Sequence, residues 1–130
     1  MTERVAIIDL GSNSARLVIM HIYDNSAYNL VYSQKEPVRL GAGLNETGRL
    51  QPDAIKRAID VLKIFAHRCQ LFKVDKILAV ATAAVRNAGN GRQFLADIRQ
   101  QTAINLRVIS GESEAKLGYT GMINTIDIDN

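Results

Sequence analysis

The sequence is poor in cysteine, aromatic residues and long apolar runs, and each deficit excludes a class of protein. A single cysteine, Cys69, allows no internal disulfide, so the chain is not a disulfide-stapled miniprotein. With no tryptophan and only 5% aromatic residues, it offers few rings on which single-stranded nucleic acid could stack. No apolar run approaches the ~18–20 residues of a membrane span, and no charged-then-apolar leader opens the chain. We therefore expect a cytoplasmic protein with no membrane partner.

The sequence also lacks a cluster of like charges, a nucleophile-elbow motif and histidines at metal-ligand spacing. The 16 basic and 13 acidic residues are spread along the chain without a basic block of five, which favours a solvated mixed surface over binding to double-stranded nucleic acid. The net charge of +3 still favours encounter with a small anion. The sequence contains no G-x-S-x-G elbow, and His21 and His67 lack neighbours at metal-ligand spacing.

What the sequence does contain is enough for one packed domain. Its 130 residues include 47% hydrophobic and 22% charged residues, a composition typical of soluble globular domains. Domains commonly have roughly 100–200 residues, so two full lobes with a cleft between them do not fit. We expect residues 1–130 to form a single domain.

Hydrophobic periodicity predicts an α/β fold. Apolar, β-branched residues from Val5 to Leu10 predict a strand buried on both faces, and residues 16–23 and 28–34 predict two more strands of an antiparallel meander. From Pro52 the period changes to 3.6, which predicts a long amphipathic helix. The remaining predicted elements are a strand at 76–81, a helix at 93–101, a strand at 107–109 and a helix from Glu112 to about Thr125. The order βββαβαβα predicts a mixed five-stranded sheet with helices packed on it and the later strands parallel.

The first motif is D-L-G-S-N-S, from Asp9 to Ser14, between two predicted strands. A strand that ends in an acidic residue and turns through glycine can present backbone N–H groups and hydroxyls to a phosphate and its magnesium. Asp, Gly, Ser and Asn are also the common turn residues, and the residue types alone favour an ordinary hairpin turn.

The second motif is S-G-E-S-E-A-K-L-G-Y-T-G, from Ser110 to Gly121, at a strand-to-helix junction. Glu112 is accounted for by the positive end of the helix dipole and by pairing with a lysine four residues later. Glu114 has Gly118 and Gly121 at i+4 and i+7, and each glycine in a helix costs roughly 1 kcal/mol relative to alanine. Close approach of a ligand or of another backbone beside Glu114 would explain them.

Two arginine segments complete the set. In A-T-A-A-V-R, Thr82 and Arg86 follow a buried strand, and ligands of open α/β sheets lie beyond the carboxyl ends of parallel strands. In V-R-L-G-A-G-L, from Val38 to Leu44, Arg39 precedes a glycine turn and is a candidate anion contact. A surface position is the alternative for both arginines.

Together, in this order and spacing, the four segments resemble the exopolyphosphatase and guanosine pentaphosphate phosphohydrolase family, part of the superfamily of actin, sugar kinases and chaperone ATPases. The resemblance runs along nearly the whole chain and implies a ribonuclease H-like (actin-like ATPase) lobe. It also implies a site in which Asp9 lies near the metal, Mg²⁺, and Glu114 orients or deprotonates the attacking water. The residues that it places around the substrate are the phosphate-binding Gly11, Ser12, Asn13, Ser14, Thr82 and Arg86, with Arg16 and Arg39 at the substrate entrance. The family usually has S-G-x-E-E-A, whereas this sequence has Ser113 in place of the first of the two adjacent acids, so the resemblance implies Glu114 but not a second acidic contact.

The reaction implied by the resemblance is hydrolysis of a terminal phosphoanhydride of inorganic polyphosphate or of guanosine pentaphosphate (pppGpp), and the sequence does not choose between them. The family has a second phosphate loop and a second lobe that these 130 residues lack, so we expect the N-terminal lobe of a longer enzyme, inactive alone. A homodimer of the full-length protein is compatible with this. The alternatives are a non-catalytic module that binds polyphosphate or a guanosine alarmone, and a sugar or acetate kinase lobe, which the segment from Ser110 to Gly121 disfavours.

Overall fold

The strands form one mixed sheet. The computed structural model describes residues 2–81 and 83–109. The strands of this part are β1 (Glu3–Leu10), β2 (Ser14–Ile22), β3 (Tyr28–Pro37), β4 (Lys76–Ala81) and β5 (Leu106–Val108). They lie in the order β3-β2-β1-β4-β5. The pairs β1–β2 and β2–β3 are antiparallel, whereas β1–β4 and β4–β5 are parallel, which confirms the predicted mixed five-stranded sheet.

β1 occupies the centre of the sheet because its residues are apolar toward both faces. Alternate side chains of a strand point to opposite sides, and Ala6 and Ile8 join one hydrophobic cluster while Val5 and Ile7 join another. All four are at most 1% exposed. The prediction of a strand buried on both faces is therefore confirmed, and the end of β1 is held rigidly.

The helices of the described chain pack on one face of this sheet. They are α1 (Leu44–Thr47), α2 (Pro52–Leu71), α3 (Ala83–Asn87) and α4 (Gly91–Thr102). α2 starts at Pro52, where the missing N–H costs no helical hydrogen bond. Its buried side chains follow the predicted 3.6-residue period: Ala54, Ala58, Ile59, Leu62, Phe65 and Cys69. Burial raises the pKa of the Cys69 thiol to about 11, so this side chain is part of the core and carries little thiolate at neutral pH.

Two short helices depart from the predicted order. Sequence periodicity gives one helix between β3 and β4 and one between β4 and β5, whereas the structure has α1 before α2 and α3 before α4. Helices of four and five residues are too short to show a 3.6-residue period. α1 is bounded by Gly43 and Gly48, whose φ of 76° and 71° lies in the left-handed region that glycine adopts at little cost. The predicted helix from Glu112 to about Thr125 lies outside the described residues.

Apolar residues are concentrated on the two faces of the sheet and not in any single helix. The face under α2 and α4 carries the larger cluster, and the opposite face carries a second one formed by Val5, Ile7, Val18, Met20, Ile22 and Val80. Among residues 2–81 and 83–109, no helix has the length and apolar composition needed to cross a bilayer.

Gly91, the first residue of α4, lies close to the backbone of α3 and supplies a test of the fold. A Cβ atom added to Gly91 would collide with the carbonyl oxygen of Val85 in α3. Because a backbone atom cannot rotate away, we expect Gly91→Ala to lower the free energy of unfolding by about 2 kcal/mol or more, measured by thermal unfolding of the full-length protein. Gly89→Ala is the matched control, since a Cβ there would meet its nearest neighbour, the Gly48 oxygen, at an ordinary 3.5 Å. Equal stability of the two variants would contradict the prediction.

Candidate functional site

The predicted motifs meet at one edge of the sheet. Leu10, at the end of β1, is aligned with Ala81, at the end of β4, and Ala81 is aligned with Val108, at the end of β5. Because these strands are parallel, the segments that follow them all start at the same edge, the position where open α/β sheets bind ligands. The segments after residues 10, 81 and 108 are the ones that carry the first three motifs.

The first motif forms a tight connection between β1 and β2. The N–H of Gly11 donates a hydrogen bond to the Ser14 carbonyl oxygen at 3.0 Å, which closes the turn. Gly11, Ser12 and Ser14 are half-buried and Asn13 is exposed. The segment is thus a hairpin turn, and it also places a glycine and two serines next to Asp9, at the edge where open α/β sheets bind ligands.

The segment from Val38 to Gly41 packs directly against this turn. The N–H groups of Val38 and Arg39 both donate to the Asn13 carbonyl oxygen, at 3.0 and 2.9 Å, and the Gly41 N–H donates to the Ser12 oxygen at 3.0 Å. A Cβ atom on Gly41 would lie 3.5 Å from the Ser12 Cβ. The structure therefore joins two motifs that are separate in the sequence, and it places Arg39, whose side chain is exposed, beside the turn.

Asp9 and Arg16 face each other across β1 and β2. They are aligned in the antiparallel register, and strand alternation puts both on the face that carries Ile7 and Val18, opposite α2 and α4. Asp9 is half-buried, and burial raises the pKa of its carboxyl while the positive charge of Arg16 opposes that increase. A half-buried carboxylate beside a cation is a group whose charge state a ligand can change.

The donor set at this edge fits magnesium better than a metal held by protein alone. Among the described residues no cluster of three or more His, Cys, Asp or Glu side chains could enclose a metal ion. Mg²⁺ usually keeps several waters and takes one or two carboxylates together with substrate phosphates. Asp9, half-buried near the end of β1, supplies one such carboxylate at this edge.

Arg86 links two of the segments at the edge. It lies in the last turn of α3, and its Nη1 donates to the Ile109 carbonyl oxygen at 2.7 Å. The Ile109 N–H in turn donates to the Ala81 oxygen at 3.1 Å. Arg86 is therefore at the predicted edge and is exposed, with one N–H used to hold the chain just before Ser110. Thr82 and Glu114, the other two predicted site residues near these segments, lie outside the described residues.

Sequence reasoning missed two side chains that hold loop segments in place; Arg57 lies next to the candidate site, whereas Asn90, the N-cap of α4, lies outside it. The Arg57 guanidinium, on α2, donates through Nε to the Val38 oxygen at 2.8 Å and through Nη2 to the Arg39 oxygen at 3.2 Å. The Asn90 side chain accepts from the Leu50 N–H at 2.8 Å and donates to the Leu50 oxygen at 3.1 Å. Both bond to backbone atoms, whose positions no sequence pattern marks.

A groove of about 760 Å³ lies elsewhere, between α2 and the start of α4. Its lining combines basic, acidic and apolar side chains, among them Arg49, Lys56, Asp60 and Lys63, and includes none of the predicted site residues. Lys56 and Asp60 are paired at 2.9 Å on the surface of α2, so part of its charge is already compensated. The groove and the sheet edge are distinct features.

Comparison with known proteins identifies relatives along the whole chain. A model of the Ppx/GppA phosphatase family matches residues 18–130. A guanosine-5'-triphosphate,3'-diphosphate pyrophosphatase of Aliivibrio fischeri (strain ATCC 700601 / ES114) is 42% identical over 126 residues, which are 96% of this chain and 25% of that protein. A protein of the same name from Vibrio cholerae (strain ATCC 39541 / Classical Ogawa 395 / O395) is 40% identical over 92% of this chain and 24% of its own length. The chain thus spans about a quarter of the length of these relatives.

Solved structures give the same result for the fold. A Ppx/GppA family member of Aquifex aeolicus superposes with a TM-score of 0.86 at 37% identity, over 92% of this chain and 39% of that one. An exopolyphosphatase from Cytophaga hutchinsonii superposes with a TM-score of 0.85 at 31% identity, over 92% of this chain and 38% of that one. The expected ribonuclease H-like (actin-like ATPase) lobe is confirmed.

Proposed function

Because this chain belongs to the Ppx/GppA phosphatase family, we propose that it forms one wall of the phosphate-binding cleft of an enzyme that hydrolyses terminal phosphoanhydrides. The substrate is an anion of the pppGpp or polyphosphate type. Relatives at 40–43% identity are named for the guanosine compound, which supports pppGpp as the first substrate to test.

The observation that carries the proposal is the bracing of the turn after β1. Three backbone hydrogen bonds from the segment at 38–41 fix the Ser12 and Asn13 peptides at the ligand-binding edge of the sheet. Phosphoryl transfer passes through a loose transition state, so its catalysis depends on positioning and charge stabilisation more than on covalent chemistry. A turn that does not have to reorganise during the reaction suits that requirement.

The side chains at this edge supply the remaining parts. Asp9 would hold Mg²⁺, which when bound neutralises charge on the phosphate groups, and the Ser12 and Ser14 hydroxyls would bind the phosphate. Arg86 would contribute positive charge from the neighbouring segment. In the hydrolysis, the oxygen of a water molecule forms a bond to the terminal phosphorus, the bond to the bridging oxygen breaks, and Glu114 takes the proton that the water loses.

Phosphate release by the full-length protein tests this function. We expect inorganic phosphate to appear from pppGpp, from polyphosphate or from both, in a reaction that requires Mg²⁺ and stops with a chelator. Isothermal titration with the same two ligands distinguishes the alternatives. Tight binding without release would establish a binding module, and nucleotide-dependent transfer of phosphate to an acceptor would establish a kinase; either result would overturn the proposal.

Arg39 allows backbone strain and charge to be tested separately. Its φ of 46° lies in the left-handed region, which costs a non-glycine residue roughly 1–2 kcal/mol. Both Arg39→Gly and Arg39→Ala remove the exposed guanidinium, but only glycine removes the strain. We expect the glycine variant to melt at the higher temperature and both variants to raise KM for the anionic substrate by a similar factor. If the two variants melt together, the strain is absent; if KM is unchanged, Arg39 does not lie at the substrate entrance.

A further inference from the structure

We propose that Arg57 is a positioning residue for the phosphate-binding turn, although it lies on a helix and outside the predicted motifs. Its guanidinium donates to two consecutive carbonyl oxygens, those of Val38 and Arg39, at 2.8 and 3.2 Å. These same two residues donate their N–H groups to the Asn13 oxygen. Two residues, Val38 and Arg39, thus lie between Arg57 and the turn, and each is hydrogen-bonded through both its N–H and its carbonyl oxygen.

α2 gives this contact a rigid base. Arg57 lies between Ala54 and Ala58, which are 1% and 0% exposed and belong to the main hydrophobic core. The half-buried guanidinium therefore extends from a helix that is fixed against the sheet. A displacement of the segment at 38–39 would require breaking its bonds to this helix.

The chemistry of the contact is specific to arginine. The guanidinium is planar and carries five N–H donors in a fixed arrangement, so Nε and Nη2 can bind two neighbouring oxygens at once. A lysine ammonium keeps the charge but is a compact donor on a flexible stem. Arg57→Lys therefore preserves the cation and most of the apolar stem while it removes the two-point contact.

Backbone strain at Arg39 indicates why such a contact is needed. A non-glycine residue in the left-handed region persists only when its surroundings determine its conformation. Arg39 is bonded at its N–H by Asn13 and at its carbonyl by Arg57, and its φ is 46°. Loss of the Arg57 contact would allow Arg39 to relax and to withdraw its N–H from the turn.

The consequence for catalysis rests on the proposed function. If the turn binds phosphate, small displacements of its amide groups will reduce transition-state stabilisation more than substrate binding, because geometry matters most where charge develops.

We expect Arg57→Lys in the full-length protein to lower kcat about tenfold or more, with KM changed less than about threefold. Arg57→Met, which also removes the charge, should have at least the same effect. Arg99→Lys is the matched control, since Arg99 is exposed in the last turn of α4, away from the site.

Hydrogen–deuterium exchange supplies a readout that does not depend on activity. Peptides covering residues 36–44 should exchange about tenfold faster in Arg57→Lys, while peptides of β1 and β2 keep their wild-type rates. Faster exchange everywhere would indicate general destabilisation and would overturn the positioning role. The role would also be overturned if exchange at 36–44 were unchanged, or if kcat stayed within about twofold of wild type.

The two proposals fail separately. If the wild-type protein releases no phosphate from either substrate, the proposed function is wrong, and the exchange comparison alone decides whether Arg57 holds the turn. If the wild-type protein is active and Arg57→Lys matches Arg99→Lys in every measurement, the proposed function stands and the role of Arg57 is wrong. Should Arg57→Met fail to fold, the lysine variant still decides the question.

Discussion

Replacing Glu114 with glutamine in the full-length protein is expected to lower kcat for phosphate release by about 10²–10⁴-fold and to leave KM within a few-fold of wild type. Glutamine keeps the size and hydrogen-bonding reach of the side chain but cannot accept a proton. Under the proposed function, Glu114 is the residue that orients or deprotonates the attacking water. Steady-state phosphate release and titration of the unreacted substrate separate turnover from binding.

Glu112→Gln is the control for that experiment, because it alters the same segment only two residues away. The sequence explains Glu112 by the positive end of a predicted helix dipole, so we expect its substitution to change kcat less than about twofold and stability by about 0.3–1 kcal/mol. A Glu114→Gln protein that released phosphate at the wild-type rate would remove Glu114 from the reaction. Equal losses in the two variants would show that the segment needs its negative charge and not a base at one position.

Strong local patterns account for the part of the fold that the sequence predicts well. β1 and β4 are short apolar runs with clear turn residues after them, and α2 repeats its apolar face over five turns. The end of β3 was harder to predict, since this edge strand is largely exposed and continues to Pro37 instead of Gln34. α1 is bounded by two glycines and α3 has only five residues, so neither helix is long enough for a 3.6-residue period to be detected in the sequence.

The sequence also predicts one part of the candidate site and leaves another part out. Parallel strands bring their carboxyl ends to one edge of the sheet. The sequence order alone therefore predicts that the segment after Asp9 and the segment that carries Arg86 start at the same edge. The hydrogen bonds that fasten the segment at 38–41 to the turn involve backbone atoms, which every residue possesses. Sequence reasoning missed Arg57 for a related reason. On an amphipathic helix, an arginine that binds carbonyl groups occupies the same kind of position in the sequence as an arginine exposed to solvent.

The half-buried position of Asp9 also affects the stability of the domain. Burial raises the pKa of Asp9 in the folded state, with Arg16 opposing, above its value of about 3.9 in an unfolded chain. A group with a raised pKa stabilises the fold fully below its unfolded pKa, and that contribution is lost as the pH rises through the folded pKa. At pH 7 the ionised, half-buried carboxylate therefore lowers the free energy of unfolding. Retaining such a residue is understandable if its charge serves a ligand.

Substituting Asp9 with asparagine in the full-length protein should accordingly raise its melting temperature at pH 7 in metal-free buffer, with the difference from wild type shrinking as the pH is lowered toward 4. The same variant should lose phosphate release by about 100-fold or more, because the carboxylate proposed to hold Mg²⁺ is gone. Added Mg²⁺ should stabilise the wild-type protein and leave the stability of Asp9→Asn unchanged, since binding to the folded state alone raises stability by mass action.

Asp53→Asn, at an exposed position in the first turn of α2, is the control and should keep wild-type activity and Mg²⁺ response. An Asp9→Asn protein that melts below wild type would contradict the burial cost, and one that keeps both its activity and its Mg²⁺ response would remove Asp9 from the metal site.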